Sequence, residues 1–141
     1  MKIEKCINYL LTQAQIKVNQ RFRENLSTCQ VTPAQYFILY YLWEKDGLSP
    51  TQLAKLSGLD SSTITGLLTR LEEKDFITRI NSKDDRRGVN VYLTKSGTAI
   101  KKSIDPIILK SNRDVLFDFN ETEQAILENF LLRLSGAKID P

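Results

Sequence analysis

The chain of 141 residues contains no histidine. That removes His-based triads, His general bases and His metal ligands at once. Cysteine is scarce as well: Cys6 and Cys29 are the only two, and their separation is not a metal-type spacing. They are expected to be reduced, partly buried thiols rather than a disulfide, because nothing marks the chain for export. The opening "MKIEKCINYLL" mixes charges among its apolar residues and lacks the unbroken core of a signal peptide. The longest strongly apolar run, "YFILYYLW" from Tyr36 to Trp43, is far too short to span a bilayer. Nucleotide-binding glycine loops and clustered carboxylate pairs are also missing. The expectation is a cytoplasmic protein that is not an enzyme, with no cofactor, no metal and no membrane partner. No internal repeat, low-complexity tract or flexible linker interrupts it.

The hydrophobic content, 41%, suits one compact domain or a small domain with helical extensions. Charged residues make up 26%, an ordinary share that argues against wholesale disorder. A net charge of +3 is only mildly basic, so local placement must carry any case for a polyanionic partner.

Ile3, Ile7, Leu10, Leu11, Ala14 and Val18 recur at helical spacing and predict a first helix from near Ile3 to Leu26. Thr32-Pro33-Ala34-Gln35 supplies an N-cap, a proline at the first helical position and a capping-box Gln. The helix that follows is apolar on nearly every side and is expected to be central, with "EKDG" closing it at Gly47. Ser49-Pro50-Thr51-Gln52 repeats the start signal for a short helix, "PTQLAKLS", which Gly58 stops. Asp60 and Ser61 then cap a helix running to about Lys74, with Ile64, Leu67, Leu68 and Leu71 facing inward.

The period then changes. "FITRI" and "VNVYLT" alternate as two strands, joined by the turn-rich "NSKDDRRG". Thr94 caps a further helical stretch, which Pro106 is expected to kink or break. Asn120-Glu121-Thr122-Glu123 is another capping box. It opens a last helix with the apolar stripe Ile126, Leu127, Phe130, Leu131 and Leu134. The fold class expected is mainly α with a small β-hairpin wing (α+β).

Two short helices joined by a turn and followed by a hairpin describe a winged helix-turn-helix. The second helix of such a pair is suited to a DNA major groove. Its outward residues are Ser61, Ser62, Thr63, Thr65, Gly66, Thr69 and Arg70. Hydroxyls bond phosphates or base edges, and Arg pairs bidentately with guanine. The helix N-terminus offers free N–H groups to phosphate. Gly66 costs about 1 kcal/mol relative to Ala inside a helix, which close approach to DNA or to a neighbouring helix would rationalise. The duller reading of these residues is ordinary capping and a solvated face. At the hairpin tip, Arg86 and Arg87 supply the cations that a narrow minor groove attracts. Asp85 and Arg87, two apart, share one side of an extended segment, so the carboxylate is placed to orient the guanidinium. The alternative for the tip is a solvated turn whose charges prevent edge pairing.

At these residues the chain resembles the MarR (multiple antibiotic resistance regulator) family of bacterial and archaeal transcription factors. The family's wing pattern, D-x-R-x-x-x-V-x-L-T-x-x-G, is matched at Asp85, Arg87, Val91, Leu93, Thr94 and Gly97. The preceding "LAKLSGLDSSTITGLLTRLEEKDFITR" also resembles that family's helix-turn-helix. The resemblance covers essentially the whole chain. It implies a homodimeric repressor on a pseudo-palindromic operator, with residues 33–94 as the winged helix-turn-helix and residues 1–30 and 95–141 as dimerisation helices. It implies that Arg87 enters the minor groove and Asp85 orients it. It further implies release by a small phenolic or lipophilic effector, with Phe22, Tyr36, Tyr40, Tyr41 and Trp43 as candidate pocket residues; the competing reading of these aromatics is plain core. Another branch senses hydroperoxides through a Cys, but a gapless match places Asn8 at that position, with Phe22 and Pro33 where supporting tyrosines stand. A winged helix that docks a protein instead of DNA is the competing class, and the basic tip and Thr/Arg face count against it.

Overall fold

Local capping chemistry sets most of the helix starts. A computed structural model describes residues 1–82 and 88–137. Thr32, Ser49 and Asn120 each accept the N3 amide, while Gln35, Gln52 and Glu123 reach back to the cap's own N–H. These boxes open α2 (Pro33–Glu44), α3 (Pro50–Ser57) and α7 (Glu121–Leu134). Asp60 caps α4 (Ser61–Glu73), and Thr94 caps α5 (Lys95–Ala99).

The first helix starts later than its periodicity suggests. Ile3–Lys5 form a single 3-10 turn, Cys6 is extended, and α1 runs Ile7–Leu26. Cys6 makes no side-chain cap bond, so the first turn lacks the anchor that α2, α3, α4, α5 and α7 have. Pro106 does not break its helix. The helical stretch after the wing is interrupted at Ile100, and Pro106 lies inside α6 (Lys101–Val115). Pro106 has no N–H to give the carbonyl of Lys102 one turn back, and Lys102 is an exposed residue.

The strands β1 (Ile77–Asn81) and β2 (Val89–Leu93) pair antiparallel, from Ile77 opposite Leu93 to Asn81 opposite Val89. Leu48 adds an isolated bridge to Val91, which makes the residues after α2 a third, minimal strand of the wing. The Asp46 carboxylate also accepts the Leu93 N–H at 2.9 Å. The wing is therefore held by the end of α2 as well as by its own ladder.

The core lies between α2, α3, α4 and the wing. Ile38, Leu39, Leu53, Ile64, Leu68, Leu71, Ile77 and Val91 are all essentially inaccessible to water. Burying each aliphatic chain contributes about 1.5–3 kcal/mol. The outer helices differ: α1 buries only Leu26, and α7 buries no residue at all. Among the described residues no helix is long and apolar enough to cross a membrane.

Candidate nucleic-acid interface

The helix α4 is divided lengthwise. Ile64, Leu67, Leu68 and Leu71 are buried, while Ser61, Ser62, Thr63, Thr65, Gly66, Thr69 and Arg70 are all exposed on the other side. Every outward residue expected from the 3.6 period is thus gathered on one solvent-facing surface. Two of the hydroxyls are occupied within the helix itself. Thr65 Oγ1 donates to the Ser61 carbonyl and Thr69 Oγ1 to the Thr65 carbonyl, each at 3.0 Å. Such back-bonds fix the side-chain rotamer and leave the hydroxyl's lone pairs facing outward.

At the start of α4 the sequence reading needs a correction. The Thr63 amide is not open to phosphate; the Asp60 carboxylate accepts it at 2.7 Å and also accepts the Ser62 hydroxyl at 2.7 Å. The Thr63 backbone bond, followed by the side-chain bonds, holds the Asp60 carboxyl below its ordinary range. A carboxylate therefore stands where the helix dipole would otherwise favour an outside anion.

Gly66 is exposed, and a Cβ there would meet no atom within 4 Å. Packing against a neighbouring helix of this chain is therefore not its reason. Gly97 is the opposite case: its Cβ would lie 2.0 Å from the Phe76 carbonyl oxygen. The same junction uses Thr94 twice. Its hydroxyl accepts the Gly97 amide at 3.0 Å and donates to the Asp75 carbonyl at 2.6 Å. The Leu-Thr-x-x-Gly part of the motif, Leu93 to Gly97, thus joins the base of the wing to the end of α4.

A second tie was invisible in the sequence. Glu72 on α4 accepts the Arg79 backbone N–H at 3.1 Å and its guanidinium Nη2 at 3.1 Å. The Arg79 side chain is the first cause that holds the Glu72 carboxyl below its usual range. Arg79 is thereby spent on joining α4 to β1. Beside the loop end of the two strands, an open groove of about 500 Å³ is lined by Ser49, Pro50 and Thr51 at the start of α3 and by Ser82, Gly88, Val89 and Asn90. Asp85, Arg86 and Arg87, the expected tip, lie outside the described residues.

The five aromatic candidates separate into groups. Tyr36 touches Tyr40 and Trp43, with ring centroids 6.4 and 6.3 Å apart. Tyr41 Oη donates to the Leu56 carbonyl at 2.9 Å, and Trp43 Nε1 donates to the Gly97 carbonyl at 2.8 Å. These two polar tips fasten α2 to α3 and α5. Tyr40 is exposed, and Phe22 is half-buried on α1. Burial, then the Asp105 charge, pushes the Tyr36 phenol above its ordinary value. Across from it Lys101 is paired with Asp105, and its Nζ lies 5.6 Å from the Trp43 ring centre.

Comparison with known proteins agrees with this architecture. A MarR family model matches residues 31–89, which span α2 to the start of β2. The chain is similar to an organic hydroperoxide resistance transcriptional regulator of Bacillus subtilis, 33% identical over 106 residues, or 74% of this chain and 72% of that one. It is 26% identical over 138 residues to the transcriptional regulator SarZ of Staphylococcus aureus, covering 98% and 92% of the two chains. Among solved structures, a probable transcriptional regulator from Pseudomonas aeruginosa superposes with a TM-score of 0.88 at 28% identity, covering 94% of this chain and 99% of that one. A mutant MarR from E. coli complexed with operator DNA gives 0.83 at 26% identity, covering 91% and 92%.

Proposed function

The chain belongs to the MarR family of DNA-binding transcription regulators, and from that premise we propose that it is a homodimeric, operator-binding repressor whose α4 reads the major groove. One observation carries this reading: α4 presents an unobstructed hydroxyl and Arg face, with a glycine at its middle that no contact within the chain requires. A glycine costs helix stability and is retained where something must come close.

In this proposal Arg70 and the exposed Ser and Thr residues contact bases, and the wing tip reaches the minor groove. Arg87 is the inserted cation and Asp85 its orienting partner. The groove beside Ser49 and Asn90 follows the phosphate backbone. A two-fold dimer engages two half-sites about 34–36 Å apart, hence a pseudo-palindromic operator. The dimer forms through residues 1–30 and 95–141, which leave several apolar side chains uncovered within one chain: Ile7, Leu10, Phe130, Leu131 and Leu134 are all exposed. A small phenolic or lipophilic anion is the proposed effector, seated near Tyr36 and Tyr40. There it would compete with Asp105 for Lys101 and shift α2, which is fastened to the wing at Asp46 and Leu48.

The name of the Bacillus subtilis relative raises thiol sensing as an alternative. Here Cys6 is a half-buried free thiol at the start of α1, and Asn8 lies two residues on. We assign no redox role to it: Cys6→Ser is expected to leave DNA affinity, and its response to cumene hydroperoxide, unchanged.

The test begins with DNA selected by the chain from a random pool. Selected sequences are expected to contain an inverted repeat. Binding to them should weaken steeply with salt, log K falling by about 0.9 per neutralised phosphate for each unit of log salt concentration. Recovery of no preferred sequence, or salt-independent binding, contradicts the proposal.

A further inference from the structure

Lys74 follows directly on α4 and, by position, would be counted among the cations that grip phosphate. Its ammonium turns the other way. Nζ donates to the backbone carbonyl of Gln30 and to the side-chain carbonyl of Gln35, the latter at 2.9 Å. Gln30 closes the turn after α1 in the left-handed region, at φ 56°. Gln35 is buried, and the same Oε1 accepts the Thr32 N–H of the capping box that opens α2. One ammonium thus joins the end of α4, the turn after α1 and the first turn of α2.

The backbone on either side of Lys74 is equally constrained. The Asp75 N–H bonds to the Glu72 carbonyl and the Phe76 N–H to the Leu71 carbonyl, both at 3.0 Å, with Asp75 left-handed at φ 62°. This is a Schellman ending, made with Asp where Gly is usual. Drawing a Lys ammonium partly out of water is unfavourable unless its donors are matched. Here they are matched by two carbonyl oxygens from a different layer of the fold. Burial, and then the nearby Arg70 charge, depress the Lys74 pKa, as a withdrawn ammonium requires.

We propose that Lys74 is a positioning residue for DNA reading: it fixes the tilt of α4 against the α1–α2 turn, so that the outward face meets the bases in register. The inference rests on the reading of α4 as the recognition helix. It assigns Lys74 to sequence discrimination without a contact to DNA, whereas a phosphate-gripping Lys adds affinity for all sequences alike.

The experiment uses the full chain, the DNA it selects from a random pool, and a scrambled duplex of equal length. Variants Lys74→Met, Lys74→Arg, Gln35→Glu and Arg70→Ala are first checked for folding and mass. Lys74→Met is expected to lose about tenfold or more in preference for selected over scrambled DNA, a loss comparable to one mismatched base pair, with an unchanged salt slope. Lys74→Arg, which keeps a donor to both carbonyls, should restore most of the preference. Unchanged discrimination in Lys74→Met, or equal weakening on both duplexes with a slope reduced by about 0.9, overturns the proposal. If Lys74→Met does not fold, Gln35→Glu decides. It keeps the capping box and holds Lys74 more firmly, so preserved discrimination supports the positioning role. Equal weakening on both duplexes means that Lys74 has been drawn off phosphate, and overturns it. Arg70→Ala separates the two levels. If Arg70→Ala leaves discrimination intact, α4 is not the reading element and both readings fall. If it relaxes discrimination while Lys74→Met does not, only the positioning role falls.

Discussion

Gly66 and Asp60 are where stability and binding pull in opposite directions. Gly66 sits in the interior of α4 with open space where a Cβ would go. Gly66→Ala is therefore expected to stabilise the folded chain by about 1 kcal/mol, seen as a rise in Tm, while weakening DNA binding because a methyl group then faces the bases. Unchanged or tighter binding would mean that the glycine has no role in approach. Asp60 is the reverse. Its carboxylate is the N-cap of α4 and stands on the surface assigned to DNA. Its folded pKa lies below the ordinary 3.8, so its stabilising contribution is complete above that value and is lost as pH falls through the folded pKa. Asp60→Asn keeps a good cap and removes the charge. The variant should bind DNA more tightly, and its Tm should fall less than that of the parent on acidification below about pH 4. An identical acid profile would show that Asp60 contributes nothing through its ionisation.

Among the elements, the starts of α2, α3, α4, α5 and α7 were legible in the sequence, while those of α1 and α6 and the ties between elements were not. Thr32, Ser49, Asp60, Thr94 and Asn120 act within three residues of themselves, so their roles can be read from local spacing. The inward and outward faces of α4 follow from the 3.6 period in the same way. The Leu48–Val91 bridge, the Asp46 bond to Leu93 and the Lys74 bonds to Gln30 and Gln35 join residues far apart in sequence, and no local period encodes them. A proline's missing donor is visible in the sequence and suggests a kink or break at Pro106, whereas the helix is interrupted at Ile100 and continues through Pro106. The Thr94–Gly97 junction was legible only as a pattern; its cause is a backbone carbonyl lying where a side chain would be. Gly97→Ala should accordingly destabilise the chain by about 1–3 kcal/mol or more, measured by chemical denaturation, since backbone must move to admit the methyl. A loss below half a kcal/mol would show that the Phe76 segment yields easily.

On the scale of the whole molecule, the unburied ends carry the proposed dimerisation. The helix α7 carries Phe130 at 57% and Leu134 at 60% exposure, and α1 carries Ile7 at 58%. Apolar surface of that extent along two helices is expected to be covered by a second copy, so light scattering should report twice the chain mass at micromolar concentration. Leu131→Lys should shift that equilibrium toward monomer and, with it, abolish high-affinity binding to a full operator, because only one half-site remains engaged. A folded monomer that binds the full operator tightly would contradict the two-fold account. The central claim, that a dimer reads sequence with α4, is tested most directly by one set of titrations: parent chain and Arg70→Ala against the selected DNA and its single-base-pair variants. The account predicts that Arg70→Ala costs about 1–3 kcal/mol and flattens the preference at one position in each half-site, the two positions related by the operator's symmetry. A uniform loss at every position would place Arg70 on phosphate and contradict the assignment of α4 as the reading element.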